Sequence, residues 1–176
     1  MPKQQIPPTH DAYWVKPYQL LAGRYPSAWE ADLPLKLRQL LRAKVTFYIN
    51  LTEEGEYEMP AYHQRLQQEA EKIGFIVEHH RIAVKDFDVP THAQMKQILD
   101  LIDQAITAGH TVYVHCYGGI GRTGTVVGCH LVRHGFSGKE ALTEMVRLRQ
   151  NTPFERAVSP VTVEQRQMVL EWSIGD

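Results

Sequence analysis

The chain has 176 residues, 43% hydrophobic and 22% charged, with a net charge of −1. That balance suits one compact domain with a real core, and it excludes the strongly basic surface of a general nucleic-acid binder. No apolar run reaches 18 residues, so no membrane-spanning helix is expected.

Residues 1–12, with Pro2, Pro7 and Pro8, read as a short flexible arm ahead of a single domain over residues 13–176. The start lacks an apolar signal core, so the expected location is the cytoplasm, where thiols stay reduced. Residues 18–23 read as a first strand, and residues 31–42 as a helix with Leu33, Leu37, Leu40 and Leu41 near one face. A β-rich run follows at 45–51, then an acidic turn at 53–56. Residues 61–73 read as a helix stopped by Gly74, and residues 75–84 as the next strand. Thr91 and Gln94 form a capping box for a helix over 93–108. Its stripe of Met95, Ile98, Leu99, Ile102, Ala105 and Ile106 is core packing. After Gly109 comes a short strand, Thr111-Val112-Tyr113-Val114, then a glycine-rich loop and a helical run from Thr125. Ser137 and Glu140 cap a helix to about residue 149, and a last helix spans about 163–172. Strands alternating with helices indicate an α/β sandwich around a central, mostly parallel sheet.

The loop carries the chemistry. It reads His115-Cys116-Tyr117-Gly118-Gly119-Ile120-Gly121-Arg122-Thr123-Gly124, between a strand and a helix N-terminus. Glycines at 118, 119 and 121 let the backbone curl, so that successive N–H groups face one centre at the positive end of the helix dipole. A phosphate monoester fits such a cradle, bound by Tyr117, Gly118, Gly119, Ile120 and Gly121. Arg122 adds a planar fork for two phosphate oxygens and for the charge they carry in the transition state. Cys116 sits at the mouth, where the helix dipole and Arg122 favour a thiolate at neutral pH. It would attack phosphorus and form a phosphocysteine. Thr123 is expected to donate its hydroxyl to that thiolate, and His115 to shape the loop through backbone hydrogen bonds. Cys129 lies about 10 Å along the following helix, which favours core packing over a disulfide with Cys116. No Cys-x-x-Cys pair or His-rich ligand spacing signals a metal, and neither a metal nor a cofactor is expected.

This loop resembles the signature loop of the cysteine-dependent protein tyrosine phosphatases. The short chain is similar to their dual-specificity branch, and the loop is especially similar to that of the kinase-associated phosphatases. The resemblance spans roughly residues 13–172. It implies a three-layer sandwich, with a mixed sheet of four or five strands between helices. It also implies a general acid on a separate loop. Asp86-Phe87-Asp88-Val89-Pro90 is the matching stretch. Asp86, four residues before Pro90, takes the acid role, with Asp88 as the alternative. Gln165 matches a glutamine that helps place the hydrolytic water, although Thr162-x-x-Gln165 also reads as a capping box.

The loop interior holds no lysine. Related phosphatases of highly charged phosphoinositides carry lysines there, so the resemblance implies a singly phosphorylated protein or peptide. Lys85, Arg24 and Arg156 are the candidates for extra phosphate contacts, and Tyr117 and Phe87 for the pocket rim. The small size implies a shallow pocket that admits phosphoserine and phosphothreonine as well as phosphotyrosine. RNA 5′-phosphates, inositol phosphates and lipids stay open as substrates, as does phosphate-binding without turnover. The sequence carries no signal of oligomeric state.

Overall fold

The structure, a computed structural model, describes residues 6–176. Of the arm expected over residues 1–12, residues 1–5 lie outside the described residues. Thr9 is already buried and Ala12 opens the first strand. The chain runs β1 (Ala12–Lys16), β2 (Leu20–Gly23), α1 (Leu33–Arg42), β3 (Val45–Asn50), α2 (His63–Glu71), β4 (Glu78–Arg81), α3 (His92–Thr107), β5 (Thr111–His115), α4 (Arg122–Arg133), α5 (Gly138–Leu148) and α6 (Val163–Glu171). Five strands form one mixed sheet in the order β1-β2-β5-β3-β4. Only the β1–β2 hairpin is antiparallel; β2, β5, β3 and β4 run parallel. This is the expected α/β sandwich, and of the four or five strands that the resemblance implies the mixed sheet has five.

Two elements differ from the sequence reading. The sequence places Ala12 in the arm and assigns no element to residues 13–16; these five residues form a strand because β2 supplies a partner, Trp14 lying opposite Leu21. β4 is four residues long, where a strand was expected over 75–84. Phe75 and Val77 pack against the core without joining the ladder.

Strand alternation divides the interior in two. Val112 and Val114 of β5, with Phe47 and Ile49 of β3, face α3, α4, α5 and α6. Tyr113 and Tyr48 face α1 and α2 on the other side. Thr91, Ser137 and Thr162 cap α3, α5 and α6 through complete capping boxes. α4 is the central helix, with every residue from Arg122 to Val132 buried. Its close packing depends on Gly128, where a Cβ would sit 2.6 and 2.8 Å from the two methyls of Val169.

Histidines enter this interior uncharged. Burial pulls His115 down to about 3 and His130 to about 4 from the usual 6.5. His115 is fully buried and His130 is 4% exposed.

Gly128→Ala is expected to lower the unfolding free energy in urea. Overpacking against Val169 costs about 1–3 kcal/mol, which outweighs the gain of up to about 1 kcal/mol in helix propensity. A net stabilisation would contradict the packing described. The histidines also set a pH dependence. Between their folded values and 6.5 the unfolded chain binds more protons than the fold, so stability rises with pH across that window. Two such rings give up to about 2–3 kcal/mol per pH unit. Denaturation midpoints should therefore drop steeply from pH 6.5 toward pH 4.5, and a flat profile would refute the assignment.

Candidate active site

β5 is buried along its whole length and delivers Cys116 at its carboxyl end. Ligand sites in open α/β sheets lie at such strand ends. Residues 116–121 then turn into α4. Gly119 has φ +71°, and a Cβ there would lie 2.6 Å from the carbonyl carbon of Gly23. Both facts require glycine. The surrounding protein takes the loop's carbonyls. Tyr117 O accepts from Tyr25 N–H at 3.1 Å, and Ile120 O from Ser159 Oγ at 2.7 Å. Gly121 O accepts from both the N–H and the hydroxyl of Thr125, each at 2.9 Å. The Cys116 sulfur is 3% exposed as a residue and accepts from Gly119 N–H at 3.3 Å.

His115 lies beneath the cysteine. Its Nδ1 is 3.3 Å from Cys116 O, and its Nε2 is 2.6 Å from the Tyr62 hydroxyl. A carbonyl only accepts, so Nδ1 carries the proton and Nε2 accepts from Tyr62 O–H. The neutral ring imposed by burial fits that arrangement. His115 thus bonds the loop backbone at Cys116 O. Tyr62, at the start of α2, was not foreseen; one tyrosine before a helix gives no signal of a partner 53 residues away.

Arg122 is 2% exposed and meets carboxylates. Its terminal nitrogens form a bidentate pair with Glu56, at 2.8 and 2.7 Å. One also reaches Asp86 Oδ1 at 3.0 Å. The other donates to Val84 O at 2.9 Å and Leu51 O at 3.4 Å. Burial alone would lower the guanidinium pKa; the Glu56 pair reverses this and raises it. The fork expected to face phosphate is therefore engaged by Glu56 and Asp86, and Nε is its one nitrogen without a partner among the described residues. Sequence reading took Glu56 only as part of an acidic turn. The backbone of that turn is unusual: Gly55, Tyr57 and Glu58 all have positive φ.

Asp86 and Asp88 separate clearly. Asp86 is half-buried, touches Arg122 and accepts from the Tyr57 hydroxyl at 2.5 Å. Among the described residues the exposed Asp88 carboxylate accepts only from Val89 N–H, at 2.8 Å. Gln165 is fully buried. Its Oε1 accepts from Val161 and Thr162 N–H, and its Nε2 donates to Asp88 O at 3.0 Å. The amide thus clamps the acid loop to α6. It also stands by the cradle, since a Cβ on Gly121 would lie 3.1 Å from Oε1.

The contact expected between the Thr123 hydroxyl and Cys116 is not formed. Thr123 Oγ1 is buried without a partner among the described residues, and the sulfur takes its hydrogen bond from the loop backbone instead. Cys129 is buried in the core, where burial raises its thiol pKa, and both cysteines are free. Tyr117 and Tyr57 pair their rings at 4.7 Å beside the site, and Phe87, with φ +62°, stands 62% exposed on the acid loop. Lys85, Arg24 and Arg156 are exposed and form no ion pair among the described residues.

The family model described as "Swiss Army Knife protein, DSP-PTPase phosphatase domain" matches residues 9–169. Human dual specificity protein phosphatase CDC14C is 39% identical over 57 residues, which cover 32% of this chain and only 12% of that protein. The crystal structure of Tk-PTP in its active form is 28% identical, with a TM-score of 0.66 over 92% of this chain and 94% of that one. Two structures below 25% identity share the fold. PTPMT1 in complex with PI(5)P is 22% identical, with TM-score 0.69 over 92% and 94% of the two chains. Kinase associated phosphatase, solved with its catalytic-site cysteine replaced by serine, is 19% identical, with TM-score 0.68 over 92% and 91%. With the strand–loop–helix cradle in place and the match running through nearly all of the folded chain, the protein belongs to the DSP-PTPase phosphatase domain family.

Proposed function

We propose that this phosphatase domain hydrolyses phosphomonoesters on protein side chains, phosphotyrosine and also phosphoserine and phosphothreonine, through a phosphocysteine. The observation that carries this reading is Cys116 at the end of β5, its sulfur held by Gly119 N–H in the loop that leads into the buried helix α4. The Cys116 thiolate attacks phosphorus in line; the P–S bond forms as the P–O ester bond breaks. Loop N–H groups and Arg122 hold the phosphoryl oxygens. Asp86 gives its proton to the leaving oxygen, then takes one from the water that attacks the phosphocysteine, releasing phosphate and restoring the thiolate.

Phosphate and the two carboxylates on Arg122 carry like charge. Substrate binding therefore turns Arg122 from Asp86 toward the phosphoryl oxygens, while Glu56 keeps the buried guanidinium compensated from behind. Asp86 is then free to face the leaving group. Tyr57, Tyr117 and Phe87 form an aromatic rim suited to a peptide side chain. The lysine-free loop and the protein-phosphatase name of the CDC14C relative support a singly phosphorylated protein substrate. The PI(5)P bound by PTPMT1 supports a second reading, a phosphorylated lipid headgroup, for which exposed Lys85 and Arg24 supply charge. A cytoplasmic location is part of the proposal; no helix among the described residues is long and apolar enough to cross a membrane.

Phosphate release should be measured on phosphotyrosine, phosphoserine and phosphothreonine peptides, a phosphoinositide and a 5′-phosphorylated RNA. Peptide turnover that falls by about 10³-fold or more in Cys116→Ser is expected. Preferred turnover of the lipid or RNA would replace the substrate class, and binding without turnover would turn the reading to an adaptor. Asp86→Asn should slow alkyl phosphates by about 10²–10⁴-fold and aryl phosphates, whose oxygen leaves unprotonated more easily, much less. Asp88→Asn should leave both near wild type. The reverse pattern would move the acid to Asp88.

A further inference from the structure

A polar cluster at the far end of α4 has no place in the phosphatase mechanism. His130 and His134 lie four residues apart on one helical face, the spacing that sets two imidazoles toward one point. α3 places Asp103 opposite them. Oδ1 of Asp103 is 3.0 Å from His134 Nε2 and 3.9 Å from His130 Nδ1, and all three ligand atoms lie within 4.8 Å of one another. His130 is 4% exposed, and its Nδ1 has no hydrogen-bond partner among the described residues. A buried ring nitrogen facing a carboxylate oxygen without bonding it calls for an explanation.

We propose that Asp103, His130 and His134 form a divalent-cation site of zinc type. Two imidazole nitrogens and one carboxylate oxygen are a zinc donor set. Zinc bonds of about 2.0–2.1 Å in a tetrahedron separate ligand atoms by about 3.3 Å. The Asp103 Oδ1 distances of 3.0 and 3.9 Å bracket that value and the two imidazole nitrogens lie within 4.8 Å of each other, so side-chain movements that draw the two rings toward one point would complete the site. Water takes the fourth position on the His134 side, where the ring is 49% exposed. The ion would sit at the carboxyl end of α4, whose dipole favours positive charge.

The neighbouring charges are arranged consistently. Arg133 donates to Asp103 Oδ2 at 3.2 Å and to Asp100 Oδ1 at 2.8 Å. It thereby orients the Asp103 carboxylate with Oδ1 toward both imidazoles, an outer partner of the sort that fixes metal ligands. Lys96 pairs with Asp100 at 2.9 Å rather than with Asp103. Such an ion would clip α3 to the end of the helix whose other end carries the phosphate loop. Two histidines four residues apart do not signal a metal by themselves, and the third ligand, Asp103, lies 27 residues before His130.

Zinc also binds reactive thiolates, so the test uses chelator-treated Cys116→Ser protein. Isothermal titration with zinc chloride is expected to give one site per chain. Cobalt(II) should give tetrahedral d–d absorption bands, and zinc should raise the melting temperature. His134→Ala, at a half-exposed position, and Asp103→Asn should each weaken binding by at least about tenfold and abolish the cobalt bands, given that each removes one of three protein ligands. No binding, or binding that both variants leave unchanged, would show that the cluster is only an Asp–His–Arg hydrogen-bond network. Phosphatase activity is not the readout, so the outcome is independent of the proposed function.

Discussion

A guanidinium that is 2% exposed has to be compensated where it stands, and Arg122 imposes that requirement on most of the site. Its partners come from the segment after β3, through Glu56 and Leu51 O, and from the segment after β4, through Asp86 and Val84 O. It belongs itself to the segment after β5. The carboxyl ends of three parallel strands are thereby tied to one cation. The acid loop and the acidic turn have few other anchors to the cradle, so their arrangement follows largely from this one charge.

The fold supplies that charge with a rigid mounting. Arg122 is the first residue of α4, and α4 is buried to Val132 between the sheet and three other helices. A helix held this way cannot yield when an anion binds at its N-terminus. Its dipole and loop N–H groups are thus oriented before substrate arrives, the condition under which electrostatic catalysis is strong. The carboxylate side is built differently: Gly55, Tyr57, Glu58 and Phe87 have positive φ on exposed loops, outside any long helix or strand.

The same helix links the two ends of the molecule. Its N-terminus attracts anions, and its C-terminus carries histidines facing an α3 aspartate. Both arrangements follow the dipole of a single element, one serving the proposed chemistry and the other the proposed cation clip.

The local physics of the loop was legible in the amino acids themselves. Glycines at 118, 119 and 121, between a β-rich run and a helical run, dictate a cradle wherever the chain places it. Cys116 and Arg122 are carried by neighbours in sequence. Capping boxes at Thr91, Ser137 and Thr162 marked three helix starts because their hydrogen bonds span only three residues. Tertiary structure decided what lay beyond that reach. It made residues 12–16 a strand by providing β2, and it brought Glu56 to Arg122 across 66 positions and Tyr62 to His115 across 53. It left the Thr123 hydroxyl without the sulfur and gave the Gln165 amide to the acid loop. It also set Asp86 against Arg122 and left the Asp88 carboxylate exposed. The reason is the same each time: short-range hydrogen bonds and backbone sterics are encoded locally, whereas the partners of a buried charge are chosen by how distant strands end beside one another.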